Sequence, residues 1–187
     1  YPHVSMIISG GHTSIYLSRS ELDYALLGAT RDDAAGEAFD KVAKLLNLPF
    51  PGGPSIDRVS RGRDPSRFTF RRSMVDDKSL DFSFSGIKTA MLYQVRGQDG
   101  RTPRTLSADD VADLAAGFQE AVVDILLEKG LRACRERRIR TLAIGGGVAC
   151  NTRLREKGKL RAAEDEIQIY FPPAAWCTDN AAMIGGL

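Results

Sequence analysis

The sequence predicts an α/β fold organised around a mixed β-sheet, and two patterns support that prediction. Three short apolar runs near the amino terminus are separated by turn residues, which is typical of antiparallel strands. Further along, two more strand-like runs alternate with helical patterns, which indicates parallel pairing through helical connections. The 187 residues are 43% apolar and 27% charged, enough for one domain with a substantial core.

The composition also limits the functional classes. No apolar run approaches the roughly 20 residues that a membrane-spanning helix needs. The three cysteines, Cys134, Cys150 and Cys177, lack CxxC spacing, so they fit a reducing cytosol and argue against a disulfide framework or a zinc knuckle. A net charge of +2 neither requires nor excludes nucleic acid as a partner. We therefore expect a cytoplasmic protein without membrane contact.

The first two predicted strands, 4–8 and 14–17, flank a turn that contains Gly10 and Gly11. A glycine pair between two β-type runs predicts a hairpin turn. Because glycine lacks a Cβ, the main chain is bare there, and free N–H groups on a bare main chain suit an anion such as phosphate. On this stretch alone, an ordinary Gly-Gly turn without a ligand is the alternative.

A third strand is predicted over 24–27, and a helix with one apolar face over 32–46. The aspartates that open this helix, Asp32 and Asp33, would occupy its first turn, where negative charge suits the helix dipole. Asp40 lies near the apolar stripe of the helix. Its ordinary role would be a hydrogen bond between the helix and a neighbouring loop.

A second glycine pair, Gly52 and Gly53, is flanked by prolines and predicts a stiff loop that another group can approach closely. A short helix is expected to start at 55–57. The arginines within 58–72 are either solvated surface residues or contacts to a phosphate backbone.

Two further helices are predicted before the fourth strand. Ser85 would cap the first of them, next to the core residues Phe82 and Phe84. The second covers about 107–138, opens with the spacing of a capping box, and is expected to break near Gly130.

A short strand over 141–144 leads directly into three glycines at 145–147, and a helix follows from Asn151. A glycine turn between a strand and a helix N-terminus places a ligand at the carboxyl end of that strand. Asn151 would either hydrogen-bond such a ligand or cap the helix.

The last predicted strand covers 167–171, and Thr178 or Asp179 would cap a closing helix. An aspartate at a strand-to-helix junction is also a natural residue beside a metal or a phosphate. One carboxylate alone, however, cannot hold a transition metal.

This element order suggests the ribonuclease-H-like unit of the actin, Hsp70 and sugar-kinase superfamily, with a helical insertion at about 54–138. Proteins of that superfamily use two such units and bind ATP between them. One unit is evident in this sequence. We therefore expect 1–187 to be the C-terminal ribonuclease-H-like domain of a longer chain whose N-terminal half is absent.

Six motifs are spread over nearly the whole chain. They are SGGHT at 9–13, DDAAGEAFDKVAKLL at 32–46, PGGPSID at 51–57, DFSFSGIKTA at 81–90, GGGVACN at 145–151 and CTDNAAM at 177–183. In this order they resemble the TsaD family of tRNA N6-adenosine threonylcarbamoyltransferases, long described as O-sialoglycoprotein endopeptidases or glycoproteases. The resemblance covers the C-terminal half to two-thirds of the family's length.

The resemblance implies transfer of a threonylcarbamoyl group from threonylcarbamoyl-AMP to N6 of the adenosine beside the anticodon in tRNAs reading ANN codons. It implies that this adenylate, or ATP or AMP in the same cleft, lies against nine residues. They are Ile7, Ile8, Ser9, Gly10, Gly11, Asp40, Gly53, Asp57 and Asn151. It further implies one Fe²⁺ or Zn²⁺ ion held by Asp179, and as partners tRNA and companion proteins of the TsaB-like and TsaE-like types.

One departure from the family pattern concerns the metal. The family's other metal ligands are two histidines in an upstream HxxxH motif, whereas this chain has only His3 and His12, at a different spacing. We therefore expect the metal site to be incomplete here and the isolated 187-residue piece to be inactive. No Ser-His-Asp or Cys-His pair is evident, so no catalytic residue is assigned.

Two other functional classes are compatible with parts of the pattern. The first is a metallo-endopeptidase acting on glycoproteins, which would need a hydrolytic zinc motif such as HExxH that the sequence lacks. The second is a non-catalytic nucleotide-binding scaffold for partner proteins.

Overall fold

The computed structural model describes residues 1–73, 78–97, 99, 102, 104–178, 180 and 181. A five-stranded mixed sheet forms its centre, in the strand order β3-β2-β1-β4-β5. The strands are β1 (His3–Ile8), β2 (Thr13–Ser18), β3 (Tyr24–Ala29), β4 (Thr141–Gly145) and β5 (Gln168–Tyr170). Strands β1 to β3 pair antiparallel, whereas β4 is parallel to β1 and β5 is parallel to β4. The predicted mixed α/β sheet is confirmed.

The described helices lie between and after these strands. They are α1 (Ala35–Leu45), α2 (Gly52–Val59), α3 (Ser85–Arg96), α4 (Ala108–Arg137) and α5 (Thr152–Glu164), with 3-10 turns at Gly147–Cys150 and Ala174–Trp176. Helices α2, α3 and α4 occupy the stretch predicted as a helical insertion. The predicted closing helix falls mostly outside the described residues. Among the described residues, no helix combines the length and the apolar character needed to cross a bilayer.

Helix α4 packs against the buried face of the sheet. On that face the side chains of Met6 and Ile8 are fully buried, whereas Ile7 on the other face is 41% exposed. The close approach of α4 depends on Gly130, where an added Cβ would lie 3.2 Å from a Leu142 methyl carbon and 3.3 Å from the Met6 methyl carbon. The helix runs through Gly130 without interruption, so the predicted break there is wrong. This glycine allows close packing against the sheet and does not end the helix.

A distant aspartate accepts hydrogen bonds from the N-terminal end of helix α3. The predicted capping role of Ser85 is wrong, because Ser85 is the first helical residue and Phe84 occupies the N-cap position without a side-chain cap bond. Instead, the Asp32 carboxylate accepts hydrogen bonds from the Phe84 amide (2.9 Å) and from the Ser85 hydroxyl (2.7 Å). The side chains of Phe82 and Phe84 are fully buried, which confirms their predicted place in the core.

Helix α1 begins at Ala35, later than predicted, with Ala34 in the N-cap position. Asp33 forms ion pairs with Lys41 of α1 (2.6 Å) and Lys88 of α3 (2.8 Å). Asp32 accepts a hydrogen bond from the amide at the start of α3. Their predicted place in the first helical turn is therefore wrong, and both carboxylates instead join the loop before α1 to α3.

Several arginines of the 58–72 segment are paired within the chain. Arg67 contacts Asp110 of α4 at 3.0 Å, and Arg72 contacts Asp124 of α4 at 2.7 Å. Arg63 also pairs with α4, through Asp109. The Arg67 side chain is nevertheless 52% exposed, as expected for a surface arginine. The three ion pairs hold an irregular segment against α4, and a contact to a phosphate backbone stays a prediction.

A buried carboxylate links α4 to α5. The Glu120 side chain of α4 is only 13% exposed and accepts two hydrogen bonds from the Arg153 guanidinium of α5, at 2.6 and 2.9 Å. Lys157 of α5 pairs with the same carboxylate. The hydrogen bonds from Arg153, together with Lys157, outweigh the effect of burial and lower the pKa of Glu120 to about 2. The ionised form of Glu120 is thus favoured in the folded protein.

The ordinary pKa of Glu120 is 4.5, so its depressed folded value stabilises the fold above pH 4.5, and this stabilisation is lost as the pH falls towards 2. We expect Glu120→Gln to reduce the free energy of unfolding by about 1–3 kcal/mol at pH 7, since Arg153 loses this carboxylate and Lys157 loses one of its two carboxylate partners. The deficit should shrink between pH 4.5 and pH 2. Urea unfolding over that range measures it, with the exposed Glu164→Gln as control. A deficit independent of pH would contradict this assignment.

Candidate functional site

The two predicted glycine turns lie next to each other at one edge of the sheet. Strands β1 and β4 are parallel neighbours, and Ile7 lies opposite Gly145. The turns that follow these two strands therefore begin at the same edge of the sheet. Gly146 has a φ of +91°, and a Cβ added there would lie 2.4 Å from the Ile8 carbonyl oxygen. The turn after β4 therefore rests directly on the backbone of β1, which only glycine permits.

Hydrogen bonds within the turn after β1, and one from α1, hold this turn in place. The Ser9 hydroxyl accepts hydrogen bonds from the amides of Gly11 (3.3 Å) and His12 (3.0 Å), and the Ser9 carbonyl accepts one from the Gly36 amide (3.1 Å). Around Gly10 and Gly11, no atom of the described chain lies within 4 Å of an added Cβ. These two glycines thus present bare main chain to open space on a turn that is already held in place.

The two isoleucines of the predicted set differ in what they can offer a ligand. Ile8 is fully buried in the core and can present only its main chain. The side chain of Ile7 points to the other side of the sheet, where it lines a cleft of about 440 Å³ together with Gly145 and Tyr170. The structure therefore does not bring the Ile7 side chain to the remaining predicted residues.

Asp40 links α1 to α2. Its carboxylate accepts a hydrogen bond from the Gly52 amide at 2.7 Å, at the first residue of α2. Gly52 packs so tightly that an added Cβ would lie 2.6 Å from the Asp40 Cα. The expected hydrogen bond between helix and loop is confirmed for Asp40, whereas contact with a nucleotide stays a prediction. Next along the chain, Gly53 faces open space within the described structure.

Asp57 and Asn151 both serve the start of α5. Asp57 is 9% exposed and accepts hydrogen bonds from the Thr152 amide (3.1 Å) and the Thr152 hydroxyl (2.9 Å). Asn151 accepts one from the Leu154 amide (2.9 Å) and donates one to Gln119 (2.7 Å). Of the two alternatives for Asn151, the structure shows the helix cap. A ligand contact from either side chain stays a prediction.

Three of the predicted residues share one cavity. Gly53, Asp57 and Asn151 line a space of about 340 Å³, which Gly147 closes from the turn after β4. Like Gly53, Gly147 has no described atom within 4 Å of an added Cβ. Two arginines, Arg58 and Arg61, also line this cavity, and Arg61 pairs there with the Asp57 carboxylate at 3.5 Å. Its volume falls in the range of about 300–1,000 Å³ that is usual for small-molecule sites.

Four other cavities of the described structure are larger, and the cleft at Ile7 is one of them. Asp40 lines a separate one of about 530 Å³ beside the Phe50 loop. The largest, about 690 Å³, lies between α1, α3 and the start of α4 and contains none of the predicted site residues. We therefore choose the cavity at Gly53 as the candidate ligand site because predicted site residues line it, and not because of its size.

Asp179, the predicted metal ligand, lies outside the described residues, but the segment before it is held by an arginine that the sequence analysis missed. The Arg155 guanidinium donates to the Ala149 carbonyl (2.6 Å) and to the Pro172 carbonyl (2.6 Å), and one nitrogen lies 3.4 Å from the Cys177 sulfur. Arg155 thus ties the turn after β4 to the loop after β5. One signal was available: a cation in the first turn of a helix opposes the helix dipole.

Comparison with known proteins decides the family. Residues 1–186 match the family described as "TsaD: tRNA N6-adenosine threonylcarbamoyltransferase". The chain belongs to the TsaD family. A relative with the same description from Anaeromyxobacter dehalogenans (strain 2CP-1 / ATCC BAA-258) is 49% identical over 185 residues, which cover 98% of this chain and 54% of the relative. Another, from Thermosipho africanus (strain TCF52B), is 47% identical over 184 residues, covering 98% and 54%.

The chain spans about half the length of these TsaD relatives. Solved structures of other proteins share its fold. Component A of (R)-2-hydroxyglutaryl-CoA dehydratase from Acidaminococcus fermentans matches with a TM-score of 0.56 at 15% identity, covering 94% of this chain and 57% of that one. T. kodakarensis HypF matches with a TM-score of 0.57 at 17% identity, covering 88% and 20%. At 15% and 17% identity, these two likenesses show that this TsaD chain shares a fold with both proteins.

The contact between Gly146 and Ile8 predicts a large difference between two adjacent glycines. We expect Gly146→Ala to lower the free energy of unfolding by at least about 2 kcal/mol, because a Cβ adds left-handed strain and a clash with the Ile8 carbonyl. Gly147→Ala places its methyl group in open space and should stay within about 0.5 kcal/mol of the wild type. Urea unfolding followed by circular dichroism compares the two. Equal losses would show that the turn does not rest on β1.

Proposed function

We propose that the protein to which these residues belong transfers threonylcarbamoyl from threonylcarbamoyl-AMP to N6 of the adenosine beside the anticodon in tRNAs reading ANN codons. In this proposal, residues 1–187 are the C-terminal ribonuclease-H-like domain of a longer chain. The observation that carries the proposal is the meeting of bare glycine turns at the carboxyl ends of β1 and β4. Membership of the TsaD family supplies the reaction.

The adenylate is proposed to lie across the two glycine turns. Its phosphate would lie at the main chain of Gly10 and Gly11, where the space beside each Cα is open to a ligand. Its adenosine would occupy the cavity of about 340 Å³ lined by Gly53, Asp57 and Asn151. Because Asp57 and Asn151 are already held by protein hydrogen bonds, they would present fixed surfaces with few rotamers left to order on binding.

The chain's own chemical contribution to transfer would be electrostatic. As AMP leaves, negative charge on its phosphate would be stabilised by main-chain donors that need no rearrangement. The positive charge of Arg58 at the neighbouring cavity would act in the same direction. Asp40 and Ser9 are positioning residues in this scheme, because each holds a loop and does not itself face the reacting atoms.

The metal predicted for the family is not accommodated by this chain alone. The described residues contain no group of three or more His, Cys, Asp or Glu side chains that could hold an ion. Asp179 lies outside them, and one carboxylate does not complete an Fe²⁺ or Zn²⁺ site. The remaining ligands are assigned to the part of the protein outside residues 1–187, and no reaction step is derived through the ion.

The proposed partners are tRNA and companion proteins of the TsaB-like and TsaE-like types, and the proposed location is the cytoplasm, where tRNA is modified and read. The relatives' descriptions favour neither a glycoprotein peptidase nor a non-catalytic scaffold.

Filling the cavity tests where the adenosine lies. Gly147→Leu should weaken AMP binding by about 10-fold or more, because the new side chain takes space that the ligand needs, while Gly147→Ala should have a smaller effect. Isothermal titration of the full-length protein with AMP gives the affinities, and thermal unfolding checks that both variants stay folded. A folded Leu variant with unchanged affinity would remove adenosine from this cavity.

The function itself is tested by reconstitution. Full-length protein with tRNA, threonine, bicarbonate, ATP and the companion proteins should yield modified adenosine, measured by mass spectrometry of the digested tRNA. Asp179→Ala should abolish transfer and leave the circular dichroism spectrum unchanged, whereas Glu164→Ala, an exposed carboxylate on α5, should transfer normally. Normal transfer by the Asp179 variant would remove the metal role of Asp179. Cleavage of a glycoprotein in place of tRNA modification would favour the peptidase.

A further inference from the structure

Two of the three cysteines lie together at the candidate site. Cys150 ends the 3-10 turn after β4, and Cys177 follows the 3-10 turn after β5. The Cys150 sulfur lies 3.7 Å from the Ala174 carbonyl oxygen, and that same oxygen accepts a hydrogen bond from the Cys177 amide at 3.2 Å. Burial and a hydrogen bond between the two thiols both raise the pKa of Cys150. Residues that are 27 positions apart in the sequence thus meet at the Ala174 carbonyl oxygen.

The two thiols differ in access, and the third cysteine differs from both. Cys150 is exposed, whereas Cys177 is 2% exposed. Cys134 is fully buried in α4, and burial raises its pKa to about 12. A dissolved reagent can therefore reach Cys150, while Cys134 is shielded. An accessible thiol with a second cysteine near it is one feature of redox-responsive pairs, and the raised pKa of Cys150 slows the exchange by lowering its thiolate fraction.

The geometry points to a reversible disulfide between Cys150 and Cys177, formed by exchange with a small disulfide such as oxidised glutathione, that restrains the candidate site. The Cys150 sulfur attacks one sulfur of glutathione disulfide, and the first glutathione leaves with the proton that Cys150 loses. The Cys177 sulfur then attacks Cys150 in this mixed disulfide and expels the second glutathione, which takes the proton of Cys177. Two protein thiols are oxidised and one small disulfide is reduced to two thiols.

The position of the pair gives the disulfide a consequence for the site. Cys150 is followed directly by Asn151, and Cys177 precedes Asp179 by two residues. A covalent link would fix the turn after β4 to the loop after β5, which Arg155 holds in the reduced protein through hydrogen bonds. This part rests on the proposed function. A disulfide between the two segments should move the residues proposed to bind the adenylate and the metal away from the positions that transfer requires. Transient disulfides of this kind occur in otherwise reducing compartments.

The experiment uses the full-length protein equilibrated in glutathione buffers of increasing oxidation and then blocked with an alkylating reagent. Peptide mapping by mass spectrometry should find Cys150 linked to Cys177 in the wild type and in Cys134→Ala, and no such link in Cys150→Ser. In parallel, threonylcarbamoyl transfer by the oxidised wild type should fall by about 10-fold and recover on reduction. The ratio of oxidised to reduced activity in Cys150→Ser should not change.

The outcomes separate the parts of the inference. Cys150 carrying only glutathione, a link to any other cysteine, or no oxidation of the pair would overturn the disulfide. A Cys150–Cys177 link without loss of transfer would overturn its regulatory role. If the reduced protein fails to transfer at all, the proposed function fails, and the peptide map still decides whether the thiols pair.

Discussion

The structure depends on two backbone contacts that leave no room for a side chain. Gly146 lies against the Ile8 carbonyl, and Gly36 lies against Ser9 and Gly10, where an added Cβ would be 2.7 Å from the Ser9 oxygen. These contacts press the turn after β4 and the start of α1 onto the end of β1. Because β1 and β4 are parallel, their carboxyl ends lie at the same edge of the sheet. The glycines then allow the backbones that follow these strands to come into contact.

Glycines with two different functions therefore meet at this edge of the sheet. Gly36 and Gly146 are needed where backbone meets backbone, whereas Gly10, Gly53 and Gly147 face open space. Packing explains the first group but not the second, because a methyl group at those open positions would contact nothing in the described structure. The proposed adenylate, lying against the main chain, would account for the open group, so the proposal rests on the pattern of contacts and not on cavity size.

The polar side chains around these turns act first on the protein itself. Thr13 caps the Ala35 amide of α1 at 2.8 Å, just as Asp40 serves α2 and Asp57 serves α5. Each of these bonds satisfies an N–H group that a helix start leaves unpaired. A carboxylate has about four lone-pair positions, so this role leaves acceptor capacity for a ribose or water. Structural use and ligand binding are thus compatible at Asp40 and Asp57.

Local sequence patterns correctly predicted the features that depend on neighbouring residues. They missed the features that depend on contacts between distant parts of the chain. The strands, the glycine turns and the capping box at Ser107 follow from neighbours within a few residues, and the structure contains them. The role of Asp32 depends on α3, about fifty residues away, so a rule based on the helix dipole assigned it to the wrong helix.

Gly130 carries a helix-breaking propensity of about 1 kcal/mol, which packing on the sheet overrides. Arg155 shows the same limit. Its unfavourable charge at a helix start has no explanation within α5 and is understood only when the carbonyls of Ala149 and Pro172 are seen to converge on it.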